Sequence, residues 1–426
     1  FHVTGVQTCA LPISDAGGTV SIGGNVTTTG AQTYNDAVSL TAATVFSASS
    51  ITTGSTLAAG SNALTMTTDA IALGGAVSGT STLVIQPKTN STTIALGTDA
   101  TGTLKLDDTE LGRLSDGFSS ITIGSTTGTG AIAVNYAGSY TFTDPLTIRS
   151  ASSGGGAITV SDALNTGTNS LTITSGGAVS LAAVTSGTLG VTGTGITLNG
   201  NVTTSGTQTY TGAVTLGASM TAASTGSAST GNNISFSSTV NGGSALTIDA
   251  GVGQVTFGGA VGGTTSLASL DVTTTHSAGV LLGGSVTTTG AQNYTGNITL
   301  NAADVQLNTT NSLVNITGNV IGGSASTSMI LQFTGSGGYI YNGSSYTAGS
   351  GAQPSGVTVS YSAGTYSWTA TSSATASVLV AGGGGGGGYD GSGGGGGGGV
   401  LYTNSFTLAN GTVYSAVIGA GGAGAT

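Results

Sequence analysis

The sequence predicts an all-β chain, a parallel β-helix (solenoid) followed by a C-terminal glycine-rich β domain. Three observations carry this. Short blocks that alternate apolar and polar residues recur along residues 15–330. Gly, Asn or Ser closes each block. Charged residues make up only 4% of the 426 positions, against roughly 25% in an ordinary soluble domain.

Composition removes several classes. The chain has 79 Gly, 4 Pro, 1 Trp, 4 Lys+Arg and 14 Asp+Glu, with a net charge of −10. Four basic residues cannot neutralise a row of phosphates, so nucleic acid is not expected as a partner. Scarce Glu and Lys, with abundant Gly and β-branched residues, argue against long helices. A hydrophobic share of 37% argues against charge-driven disorder. No apolar run reaches the ~18 residues of a membrane span, so no transmembrane helix is expected in this fragment.

Residues 1–14, FHVTGVQTCALPIS, do not match the rest of the chain. They hold the sole Cys (Cys9), one of two His (His2) and one of four Pro (Pro12). Residues 3–13 look like the in-frame translation of a common short-read sequencing adapter, codon by codon. A signal peptide would need a basic start and a longer apolar run. Residues 1–14 are therefore read as non-biological, and the natural chain as lacking Cys chemistry. The sequence is expected to be a fragment, metagenomic in origin and cut at its C-terminal end too.

Internal repetition is the main signal. GNVTTTGAQTYNDAVSL (24–40), GNVTTSGTQTYTGAVTL (200–216) and GSVTTTGAQNYTGNITL (284–300) are near-copies. A shorter block, apolar-x-apolar-x-small-x-Val, appears as VSIGGNV (20–26), IALGGAV (71–77), ITLNGNV (196–202) and ISFSSTV (234–240). It returns as VTFGGAV (255–261), VLLGGSV (280–286) and VNITGNV (314–320). Leu-Thr-apolar strands precede several of these: LTMTT (64–68), LTITS (171–175) and LTIDA (246–250). Such strands bury one face, wet the other and are too short to stand alone. Stacked coils of about 20 residues would bury a continuous column of Val, Ile and Leu. Roughly 15 coils at ~4.8 Å each would span ~70 Å.

The segment KLDDTELGRLSDGF (105–118) departs from the pattern. Asp107 or Asp108 could cap a short helix carrying Leu111 and Leu114, read as an insertion or a loop packed on the coils. All four basic residues, Lys88, Lys105, Arg113 and Arg149, lie between 88 and 149.

The blocks at 20–26, 196–202, 255–261 and 280–286, with their LTITS-type strands, resemble the filamentous-haemagglutinin and autotransporter-like adhesin repeats of bacteria. The segment 106–134 is similar to a unit of such giant surface proteins. The resemblance implies a right-handed parallel β-helix, export to the cell surface and adhesion. The family's N-terminal secretion domain and outer-membrane barrel do not occur in this sequence. Residues 357–426 carry TYSWTA (365–370), two Gly runs (382–388, 393–399) and VYSAVIGAGGAG (413–424). They resemble the glycine-rich domain of bacterial surface proteins and phage-tail-like adhesins. The flanking strands favour a packed domain over a flexible linker. Residues 331–356 are expected to link the two regions.

Candidate chemistry is sparse. Asp107, Asp108, Glu110 and Asp116 form the one acidic cluster that a carbohydrate-cleaving β-helix enzyme would need. A solvated helix turn explains it better. His276 has no partner at ligand spacing, and Asp390 in GYDGSGG lacks the repeat of a calcium roll. No Lys follows the Gly runs at P-loop spacing. No cofactor, metal or catalytic residue is assigned. The TTT triplets at 27–29, 273–275 and 287–289 could build the flat ladder of an ice-binding solenoid, or simply be exposed strand residues. The repeated Gln-x-Tyr places Tyr34, Tyr210 and Tyr294 as candidate ligand-facing aromatics. Internal packing of one coil type is the preferred explanation.

The expected function is an extracellular structural and adhesive repeat protein, a stalk fragment of a large surface adhesin. It would engage a surface or carbohydrate ligand multivalently. A carbohydrate-active β-helix enzyme, a phage-tail-like protein and an ice-binding solenoid are the alternatives.

Overall fold

The computed structural model describes residues 2–3, 18–226, 232–302, 305–310, 312–322, 331–335, 338–341, 344–349, 357–370, 374–381 and 400–417. It is nearly all β, with one short helix among the described residues. Two compact units divide it: Phe1–Ser238 with Ile248–Gly253, and Thr239–Thr247 with Gln254–Thr426.

In the first unit the chain winds through three parallel faces per coil. Thr19–Ile22 lies on the first face, Val26–Thr27 on the second and Gln32–Tyr34 on the third. Ala37–Leu40 then returns to the first, pairing Val20 with Val38 eighteen residues on. Short turns end these strands, which lets a two- to four-residue segment bend to the next face. The second face is the longest. Ten strands, from Val26–Thr27 to Ile234–Phe236, pair in parallel there.

Register makes the core. Val26, Phe46, Met66, Ile85, Ile123, Ile148, Ile173, Val191, Tyr210 and Phe236 are aligned partners along that face. All are buried. Two positions earlier runs a second buried column, Leu64, Leu83, Ile121, Leu146, Leu171 and Leu189. Because side chains alternate along a strand, the residues between point outward: Thr65, Val84, Thr122, Thr147, Thr172 and Thr209. Like thus stacks on like, and each short strand gains its stability from the coils on either side.

Coil length varies without loss of register. Thr82–Gln86 pairs with Ser120–Gly124, and Leu83 meets Ile121 thirty-eight residues later. The extra chain holds the parallel strands Ile94–Leu96 and Leu104–Leu106 and the helix Asp108–Leu111. The helix expected near 107–114 is therefore present, with Leu111 and Leu114 buried. At two corners glycine is needed: Gly212 (φ 137°) and Gly296 (φ 126°), each two residues after a repeat tyrosine, lie in the left-handed region.

The second unit repeats the coil design. Val255–Phe257, Val280–Leu282, Ile298–Leu300 and Val320–Gly322 stack in parallel on one face. Ser269–Thr273, Gln292–Thr295 and Val314–Ile316 stack on another. Past residue 330 the pairing turns antiparallel. Leu331–Gly335, Gly338–Tyr341 and Ser344–Thr347 form a small meander where a linker was expected. Val357–Ser362, Thr365–Ala370 and Val413–Val417 form a second sheet, and Ala374–Ala381 pairs with Val400–Leu408. Tyr339, Val359 and Tyr366 make a core with Leu331, Tyr361 and Trp368. The turn between Val357–Ser362 and Thr365–Ala370 uses Ala363 (φ 48°) and Gly364 (φ 84°), the paired positive φ values of a tight hairpin. The Gly runs and Asp390 lie outside the described residues.

The inward column makes a direct prediction. Ile173→Ala should cost about 2–5 kcal/mol, seen as a lower urea midpoint at unchanged slope. Thr172→Ala, one residue away and outward, should stay within about 0.5 kcal/mol.

Candidate functional site

The repeat tyrosines are internal. Tyr34, Tyr210 and Tyr294 are each 0% exposed, so none faces a ligand. Their position is set by the partner two residues earlier. Each Tyr hydroxyl donates to the Gln side-chain oxygen at 3.0 Å: Tyr34 to Gln32, Tyr210 to Gln208, Tyr294 to Gln292. Each Gln is itself fully buried, and its amide nitrogen bridges two coils. In its own coil it donates to Val26 O, Val202 O or Val286 O, and to the hydroxyl of Thr28, Thr204 or Thr288 at 3.3 Å. Toward the next coil it donates to Ser47 O (3.0 Å), Ala223 O (2.7 Å) or Asn308 O (2.8 Å). The Thr hydroxyl closes the corner by donating to Gly30 O, Gly206 O or Gly290 O. Burial raises all three phenol pKa values well above the ordinary tyrosine range. Tyr210 stacks on Phe236 at 4.9 Å, and Tyr34 meets Phe46 at 5.1 Å.

The Thr triplets are also partly inward. Thr28, Thr274 and Thr288, the middle members, are buried. A flat ladder of three adjacent threonines does not form there. The outward column of the long face is interrupted as well, by Val84 and Gly190.

The acidic segment is a clip between coils. Asp107 caps the helix by accepting from Glu110 N at 2.9 Å, and Glu110 returns the bond by accepting from Asp107 N at 3.1 Å. The other Glu110 oxygen accepts from Leu73 N at 2.9 Å, tying the helix to the strand Ile71–Leu73. Asp108 accepts from Thr98 N and Ala137 N at 3.0 and 2.8 Å. Asp69 and Asp162 clip neighbouring turns in the same way, Asp162 through Tyr136 N at 2.7 Å. Burial alone would raise the Asp69 pKa, but donors from Thr89, Thr92 and Lys88 outweigh it and hold the carboxyl below its usual value. Three of the four cations serve carbonyls: Lys88 donates to Thr28 O, Lys105 to Thr98 O and Arg149 to Gly124 O.

Beside the helix lies an open cleft of about 370 Å³, lined by Thr52, Thr53, Ala72, Thr109, Glu110 and Arg113 among others. Hydroxyls, a guanidinium and two carboxylates meet there. Both carboxylates, Asp107 and Glu110, are engaged by backbone N–H groups and so tie the loop to its neighbours. His276 is a turn residue, whose Nδ1 accepts from Ala278 N at 3.2 Å. Among the described residues no cluster of three or more metal-ligating side chains occurs. No helix of the described residues is long and apolar enough to cross a membrane.

The Gln–Tyr corner can be tested by a cycle. Gln208→Leu should cost about 1–3 kcal/mol, because it leaves the buried Tyr210 hydroxyl without an acceptor. Adding Tyr210→Phe should recover part of that loss, read as non-additivity in chemical denaturation.

Comparison with known proteins is informative at one end only. Residues 358–426 match the family model of a glycine-rich domain. No curated protein matches the chain. No solved structure matches it.

Proposed function

We propose that the chain is a structural and adhesive segment of a large bacterial surface protein of the filamentous-haemagglutinin or autotransporter-like kind. It works outside the cell, attached to a surface or carbohydrate ligand through many weak contacts. The observation that carries this reading is the outward column of the coils. Many of its positions are Thr, Ser or Asn, small neutral groups that hydrogen-bond without a strong field. A net charge of −10 spread over 426 residues discourages nonspecific capture by polyanions.

The commitment of Asp107, Asp108 and Glu110 to backbone donors weighs against the reading as a polysaccharide-cleaving enzyme. Repetition favours attachment, since identical weak contacts multiply when copies are presented together.

Beads carrying many copies of the chain should retain polysaccharide-coated or cell surfaces about 100-fold better than the free chain competes for them. Release of reducing ends from a polysaccharide panel, lost in Glu110→Gln, would replace this reading with the enzymatic one. Equal retention by beads bearing an unrelated β-protein would remove it.

A further inference from the structure

Asp144 is a buried acid of the first unit that a single backbone clip leaves half satisfied. It stands just before the strand Leu146–Arg149 and is only 3% exposed. One carboxylate oxygen accepts from Gly117 N at 3.0 Å. The other, Oδ2, is buried and closes no hydrogen bond, although the Phe118 N–H lies near the carboxyl and favours its ionised form. The charged group that faces it is another acid, Asp116, on the exposed loop after the helix. Tyr140 is the third titratable neighbour. Its hydroxyl donates to Leu111 O at 2.6 Å, and burial, with the charge of Asp144, pushes its pKa up to about 12.

No cation of the protein serves this pair. Lys88, Lys105 and Arg149 are held on carbonyls of Thr28, Thr98 and Gly124, and Arg113 lines the cleft beside Glu110. Two carboxylates side by side, one of them buried with a bare oxygen, are costly unless something positive lies between them. We propose that Asp116 and Asp144 bind a calcium ion, with Asp144 Oδ2 as the inner ligand and Asp116 as the outer one. Calcium accepts irregular oxygen shells completed by water, which suits a site open on the Asp116 side. The buried carboxylate supplies a fixed, already dehydrated ligand, while the exposed one lets the ion enter. The ion would then join the loop after the helix to the start of the next coil strand.

Calcium needs the ionised pair, so its affinity grows as pH rises through the carboxylate range.

The test is terbium luminescence excited through tyrosine on the intact chain, because Tyr140 lies beside Asp144. Bound terbium should emit, and calcium should displace it with a midpoint on the order of 0.1–1 mM, as in extracellular modules. Asp144→Asn and Asp116→Asn should each weaken binding at least about tenfold. Asp116 is exposed, so its variant tests the site even if Asp144→Asn fails to fold. Millimolar calcium should also raise the melting temperature over chelator in the natural chain but not in Asp116→Asn. Unchanged terbium binding in both variants would overturn the proposal. So would a melting temperature indifferent to calcium, together with an Asp144→Asn variant more stable at neutral pH, which would mean a shared proton. Equal displacement by magnesium at the same concentrations would overturn the assignment to calcium.

Discussion

Strands of three to five residues cannot hold a fold by themselves. The whole coil region depends on each one lying in register over its counterpart in the next coil, so that every second side chain meets an aliphatic neighbour above and below. The column from Val26 to Phe236 embodies that constraint. It explains why Val, Ile and Leu recur at matching positions while the residues between them drift among Thr, Ser, Gly and Ala. An apolar side chain at those inward positions is buried by its neighbours in adjacent coils rather than by its own local segment.

Polar groups inside the coils obey the same rule by other means. A buried Gln is tolerated because its amide spans two coils and its oxygen receives a phenol. Several carboxylates, lacking cations to pair with, are satisfied by backbone N–H groups of neighbouring turns, as Glu110 is by Leu73. The charge scarcity of the sequence therefore has a structural counterpart. Ionic groups act as short clips on the backbone, and the exposed strand positions are mostly neutral.

Much of this could be read in the sequence. Period-two blocks ending in turn residues give parallel coils and fix which side chains are inward. The Asp-x-x-Glu spacing at 107–110 gives the helix cap. The family match at 358–426 agrees with the strand and Gly pattern read there. Other features depend on contacts between distant segments, which no local pattern reveals. Internal packing of Tyr34, Tyr210 and Tyr294 is the preferred expectation from the sequence, but the bridge by which each partner Gln reaches a carbonyl of the next coil is not visible there. Asp116 and Asp144 meet because an inserted loop folds back on a strand nearly thirty residues further on. The meander after residue 330 was hidden by Ser, Gly and Tyr in a stretch whose composition resembles a connector.

The thirty-eight-residue step between Leu83 and Ile121 has a bearing on how such a chain can change over time. Alignment resumes after the detour as if nothing had intervened, because it is dictated by the strands and not by what joins them. A corner is thus a place where foreign segments can be spliced in with little penalty to the scaffold. New recognition elements could be acquired there one at a time, while the stacked framework beneath them is inherited intact.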